Sequence, residues 1–260
     1  MRRVESYQAL EPVLSAQLGR GVRTNAFSSP EEYRQEIAEG RLFWEESPQG
    51  LLLFHQRDGF WRVNFYLRGG EAPQLALDRP AVMEIAFRSR DAALAETVKL
   101  WEAKDFRRAL TRRRLARPKD APLNALKAAE AVEAAGPEEL EAVEKLLKAC
   151  FHPLWGCLPT RTELLAALEA GEVLALRRDG LAGLLHFSTG RGGGQIRHLA
   201  VREDARGRGL GGALLEEYLA RTGGEKSLVW TGEDNAPALG LYKKHRFAED
   251  GWSSAVLCRF

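Results

Sequence analysis

The stretch VREDARGRGLGGALLEEYLA, residues 201–220, sets Arg206 and Arg208 among Gly207, Gly209, Gly211 and Gly212, just before a run with helical periodicity. A strand ending at Val201 and a helix starting near Gly209 leave the first N–H groups of that helix without carbonyl partners. Those donors, with the positive end of the helix dipole, attract an anion. Glycines let the anion approach the backbone and permit φ > 0. Guanidinium groups suit phosphate oxygens. Gly207, Gly209 and Gly212 also fall at the offsets of a dinucleotide-binding loop, yet the strand and acid of an early Rossmann unit do not surround them. No Gly-Lys-Ser/Thr follows, which excludes a Walker loop. A tight strand-to-helix turn with solvated arginines is the purely structural alternative.

Such a turn needs flanking elements to aim it. In the C-terminal half, periodicity and caps predict helices over 137–151 and 160–171, then strands over 172–178, 181–189 and 195–201. After the glycine turn come a helix over 210–222, a strand over 226–231, a helix over 236–245 and a β region over 247–260. The N-terminal half reads as a helix over 6–18, a capped helix over 28–40, β runs over 50–56, 59–67 and 81–87, and a helix over 91–106. A joint spans about 118–136, where propensity favours a helix over LNALKAAEAVEAAG and a first strand of the next domain is the alternative. This order predicts an α/β fold of α+β type, with a mixed central sheet and helices on both faces. WEAKDF at 101–106 and YKKHRF at 242–247 repeat an aromatic five residues before a phenylalanine, an echo that suggests related halves.

HLAVREDARGRGLGGALLEEYLA resembles motif A of the GNAT superfamily of acyl-CoA N-acyltransferases, through Arg206, Gly207, Arg208, Gly209, Leu210 and Gly211. NAPALGLYKKHRF is similar to the family's next segment, with Asn235, Tyr242 and Phe247. The resemblance covers about 125–260. It implies an acetyl-CoA site between two splayed parallel strands. Backbone groups of Leu199, Ala200 and Val201 would pair with the pantetheine arm, and N–H groups from Arg206 through Gly212 would hold the pyrophosphate. Asn235 would contact the cofactor arm and Tyr242 would sit near the thioester sulfur. The implied organisation is two GNAT-like domains, 1–122 degenerate or an unrelated accessory domain, and 123–260 the acetyltransferase. In AVMEIAFRSRDAALAETVKLW a strand and helix follow in the order of motif A, but the turn RSRD has no glycine. The N-terminal half is therefore expected not to bind acetyl-CoA.

The individual residues carry different weights. A phenol with a reference pKa of about 10 is neutral at pH 7, so Tyr242 can protonate a leaving thiolate, or it can be a core aromatic. Asn235 can also cap the helix beginning at Ala236. Deprotonating a lysine-like amine at pH 7 costs about 4.6 kcal/mol, so a general base matters. Many family members place a glutamate on the strand before motif A; Gln195 stands there and cannot be a base. An acceptor amine of low pKa, or a water relay, would answer this. Glu233 can act through water or be a solvated loop acid, and His198 alternates away from Leu199 and Val201, which favours a structural role. The resemblance also implies an acceptor pocket near the first two helices of this half; Phe151, His152, Leu154 and Trp155 at that joint can line it or plug the core edge.

The bulk numbers fit two domains of a soluble globular protein: 260 residues, 45% hydrophobic, 28% charged, net charge +2. The seven cations of 107–119 lack interleaved aromatics, which favours a solvated or interdomain face over nucleic-acid binding. No apolar run is long enough for a membrane span or a signal peptide, and a cytoplasmic protein is expected. Cys150, Cys157 and Cys258 are odd in number and lack C-x-x-C spacing, which favours reduced thiols and no metal site. The expected partner is a small-molecule or peptide amine, with no nucleic acid or membrane, acting in a monomer or homodimer. The rival to an enzyme is a non-catalytic acyl-CoA-binding sensor or scaffold.

Overall fold

Local signals account for the helix starts. The Ser29 hydroxyl accepts the N–H of Glu32 while the Glu32 carboxylate accepts the N–H of Ser29, and Thr160 with Glu163 repeats the arrangement. Each such box is worth about 1 kcal/mol. The structure is a computed structural model and describes residues 1–19, 21–88, 92–122, 131–190 and 192–260.

The chain forms two compact units, Met1–Thr111 with Ser253–Phe260, and Arg112–Trp252. Unit 1 holds β1 (Arg2–Arg3), α1 (Tyr7–Gln17), β2 (Arg23–Thr24), α2 (Pro30–Ala38), β3 (Leu42–Ser47), β4 (Gly50–Arg57), β5 (Phe60–Leu67), β6 (Ala81–Arg88), α3 (Ala92–Glu102) and the start of β7 (Arg107–Arg117). Its strand order begins β1-β3-β4-β5-β6, with β3, β4 and β5 antiparallel and β5 parallel to β6. Successive β4 residues face opposite sides. Leu51 and Leu53 pack with Leu10 and Tyr33 of α1 and α2, whereas Leu52 and Phe54 pack with Val98 and Trp101 of α3.

Unit 2 continues with β8 (Val132–Ala134), α4 (Leu140–Cys150), α5 (Arg161–Glu169), β9 (Val173–Arg177), β10 (Leu181–Gly190), β11 (Gly193–Val201), α6 (Leu210–Arg221), β12 (Ser227–Gly232), α7 (Ala236–Lys244) and the start of β13 (Ala248–Arg259). The order is β7-β12-β11-β10-β9-β8, with β11 and β12 parallel. Leu184 packs under Val143 of α4 and Leu164 of α5; Leu185 packs on the other face with Leu214 of α6 and Tyr242 of α7.

The two units share one plan: a helix pair, three antiparallel strands, a parallel strand and a last helix. The echo in sequence marks the ends of equivalent helices. Phe106 N–H donates to the Trp101 carbonyl at 3.2 Å, as Phe247 N–H does to Tyr242 at 3.1 Å. The ring pairs lie 5.6 and 5.4 Å apart. Asp105 and Arg246 take left-handed φ of 65° and 68° before each phenylalanine. One element has no counterpart in unit 1, where residues 68–80 join β5 to β6 without a helix and unit 2 places α6.

This corrects the match of 81–101 to motif A. By its parallel pairing β6 corresponds to β12, and α3 to α7; the turn residues 89–91 lie outside the described residues. The basic stretch 107–119 is mostly strand β7, and Leu42–Ser47 is a strand the alternation did not reveal. Of the helix expected over 123–136, residues 123–130 lie outside the described residues and Val132–Ala134 is a strand paired with β9, the alternative reading.

Candidate active site

Strands β11 and β12 pair from Gly194↔Ser227 to Ile196↔Val229 and part from Arg197 onward. The parting coincides with a bulge: Phe187 faces Ile196 and His186 faces His198, so Arg197 is the extra residue. Leu199, Ala200 and Val201 follow on the diverging edge, and the glycine turn follows Val201.

The turn is built for close approach. Gly207 and Gly209 have φ of 76° and 82°, and a Cβ at either would meet no atom within 4 Å. Gly209 caps α6 with no side-chain hydrogen bond. Gly212 and Ala213 donate to the Gly209 carbonyl at 2.9 and 3.1 Å, and Arg206 N–H donates to Glu203 at 3.2 Å. The donors expected from Arg206 through Gly212 therefore narrow to Gly207, Arg208, Gly209, Leu210 and Gly211. Leu210 is buried and anchors the helix start. A Cβ on Gly211 would lie 3.4 Å from both Leu199 and Leu241, an ordinary packing contact of α6 with β11 and α7. The Arg206 side chain folds back to the Val201 carbonyl at 3.1 Å, leaving Arg208 exposed beside the turn.

The chemistry-bearing side chains divide between open and closed settings. Tyr242 is buried against Phe247, and burial pushes its phenol well above the usual range, so it holds its proton. Asn235 caps α7, its Oδ1 accepting Ala238 N–H at 3.2 Å. Glu233 lies exposed beyond β12, with Arg113 donating to it at 3.2 Å. Gln195 sits in the paired part of β11, opposite Leu228. His198 is buried, and its Nε2 donates to the Gly156 carbonyl at 3.0 Å. Its Nδ1 meets the Nδ1 of His186 at 3.2 Å, and the rings stack within 11°. Phe151 packs edge-on against His198 at 4.9 Å, and His152 stacks on Trp155; Leu154 N–H donates to His152 Nδ1. His186 was not singled out from sequence: plain hairpin register sets it against Arg197, and only the bulge brings it opposite His198.

Several cations of the stretch 107–119 have intramolecular partners. Arg112 donates to the Trp155 carbonyl, Arg113 pairs with Glu233 and Glu249, and Lys119 pairs with Glu225. Arg114 is held by Asp250 and lies over the rings of Trp230 and Trp252. Cys150, Cys157 and Cys258 are free thiols, and the described residues contain no cluster of three or more metal-ligating side chains. No described helix is long and apolar enough to cross a membrane.

Residues 140–247 match the family model described as the acetyltransferase (GNAT) family. This part of the chain is a GNAT domain. The GNAT match begins at α4 and ends at Phe247, so it takes in the glycine turn, the bulge and Tyr242. Among solved structures the whole chain is similar to a GCN5-related N-acetyltransferase from Sphaerobacter thermophilus, at 15% identity and TM-score 0.58, covering 99% of this chain and 94% of that one. It is also similar to a tandem GNAT protein from the clavulanic acid biosynthesis pathway, at 16% identity and TM-score 0.55, covering 97% and 93%. A GCN5-related N-acetyltransferase from Kribbella flavida is similar at 14% identity and TM-score 0.55, covering 86% and 91%. At these identities the likeness speaks for the fold alone, two GNAT-like domains. No curated protein matches the sequence. GNAT domains use acyl-CoA as donor, and the open glycine turn of this one fits a pyrophosphate.

Proposed function

We propose that residues 123–260 transfer an acetyl group from acetyl-CoA to a primary amine by direct attack, and that residues 1–122 are a degenerate accessory domain. The observation that carries this reading is the uncapped start of α6, where two left-handed glycines face open space beside diverging parallel strands. Acetyl-CoA supplies the activated acyl group.

The N–H groups of Gly207 through Gly211 hold the pyrophosphate, with Arg208 adding charge. The backbone edge of Leu199, Ala200 and Val201 orients the pantetheine arm, and Asn235 contacts it from the cap of α7. Tyr242 holds its proton at neutral pH and offers a hydrogen bond to the departing sulfur. Glu233 takes the amine proton through water, shared with Arg113. The domain works in the cytoplasm, as a monomer or homodimer, on a small-molecule or peptide amine.

One observation favours the sensor reading: both candidate bases are engaged, Glu233 by Arg113 and His198 by Gly156. Calorimetry with acetyl-CoA, followed by thiol release over a panel of amines, separates the two. Binding without release in the presence of any amine supports the sensor; amine-dependent release supports the enzyme.

A further inference from the structure

Unit 2 holds a cavity of about 330 Å³ at the end of α6 and β11 that lies away from the glycine turn. Helix α6 reaches it at Arg221 and Thr222, and β11 begins beside it at Gly193 and Gly194. At 1.5 Å per residue, the 12 residues of α6 set this cavity about 18 Å from the turn. Its size falls at the lower end of small-molecule sites, which span about 300–1000 Å³.

Glycines keep the cavity open, for different reasons. A Cβ on Gly193 would lie 2.1 Å from the Lys226 carbonyl oxygen and one on Gly194 2.2 Å from the Tyr218 hydroxyl, so the β10–β11 hairpin packs there too closely for side chains. Gly190 has no such need. Its φ is not left-handed and a Cβ there would meet no atom within 4 Å, so the missing side chain leaves only room in the cavity.

The lining matches one kind of small molecule. Phe187, buried edge-on against Tyr218 at 5.1 Å, gives an apolar wall, and Glu172 fixes Thr189 by accepting its N–H at 3.0 Å and its hydroxyl at 3.3 Å. Arg221 and Glu225 bring opposite charges to the same cavity. Each is steadied by a residue that does not line it: Arg221 Nε donates to Glu217 at 2.7 Å, and Lys119 donates to Glu225 at 2.9 Å. The negative end of the α6 dipole adds to the pull of Glu225 on a cation. Glu225 opposes a polyanion such as a CoA phosphate, and Arg221 opposes a polycation. A zwitterion with an apolar body suits both charges and covers Phe187.

We propose that this cavity binds a small zwitterion of the α-amino acid type, its carboxylate on Arg221, its ammonium at Glu225 and the C-terminal end of α6, and its apolar side chain on Phe187. The site goes beyond the acetyltransferase reading and stands whether unit 2 transfers an acyl group or only binds it.

The test is calorimetry on the full chain with L-leucine, L-methionine and L-phenylalanine. At least one of the three should bind saturably, and glycine, the N-acetylated form and the amide of that amino acid should each bind at least about tenfold more weakly. Arg221→Gln and Glu225→Gln should each weaken the amino acid about tenfold. Gly190→Trp, which sets an indole in the cavity wall, should abolish binding, while the Kd for acetyl-CoA stays within about twofold in all three variants. The two glutamine variants keep the test available if Gly190→Trp fails to fold. No saturable binding by any of the three amino acids overturns the proposal, as does equally tight binding of the amide or the N-acetylated form. Binding that all three substitutions leave intact puts the molecule elsewhere, such as beside the acyl group as an acceptor amine, and overturns it too. Acetyl-CoA affinity and thiol release are read separately, so failure of the acetyltransferase reading is distinguishable.

Discussion

The side-chain oxygen of Asn25 accepts the backbone N–H of Phe65 at 2.8 Å, which puts an amide from the chain's own start between two strands of unit 1. The same side chain donates to the carbonyls of Val63 on β5 and Glu84 on β6, at 3.1 and 3.2 Å. Strand β2 pairs with β5 at Tyr66 and Leu67, whose other side is taken by β4. Segment 23–25 thus fills the divergence of β5 and β6, the counterpart of the cofactor-binding divergence proposed between β11 and β12. Among the described residues unit 1 also has no counterpart of α6, so it is expected to hold no acetyl-CoA. Calorimetry should give one acetyl-CoA per chain; two would contradict this account of the degenerate domain.

Substituting Gly209 with Glu places bulk and negative charge where the pyrophosphate would sit. No atom lies within 4 Å of the new Cβ, so the folding cost is the left-handed backbone alone, about 1–2 kcal/mol. The thermal transition should remain cooperative while the Kd for acetyl-CoA rises at least about 100-fold.

Tyr242→Phe removes only the phenol oxygen from a packed ring. With the ring contact to Phe247 kept, acetyl-CoA affinity should be nearly unchanged and kcat should fall about 100-fold, as read by thiol release. An unchanged kcat removes its acid role.

In unit 1 the buried Glu36 carboxylate takes hydrogen bonds from His55 and Arg57. Burial opposes its charge, but these partners prevail and bring it down from 4.5 to about 2. A depressed folded pKa means stability that is present above pH 4.5 and lost as pH falls towards 2, on the order of 3 kcal/mol. Urea titrations between pH 6 and pH 3 should show this loss, and Glu36→Gln should be less stable at pH 6 with a flatter acid limb.

Much of this was legible because the deciding signals are local. Ser29 and Thr160 announce their helices, and the glycines of 207–212 announce an anion site through their own backbone needs. Strand β7 was hidden because arginines occupy both of its faces; their neutralising partners Glu233, Glu249 and Asp250 come from far along the chain. The register of the parallel pair β5–β6 is equally non-local, so α3 was set against the wrong helix of the second unit. The buried setting of His198 depends on a bulge and on His186 across the hairpin, which alternation predicted only in direction.

The central claim is acetyl transfer by the GNAT domain through the glycine turn. Its most direct test is the rate of free thiol release from acetyl-CoA over an amine panel, measured for the unaltered chain and Gly209→Glu side by side. Saturable, amine-dependent release that the substitution abolishes is the expected result. Acetyl-CoA binding with no amine-dependent release, or release indifferent to Gly209→Glu, would contradict it.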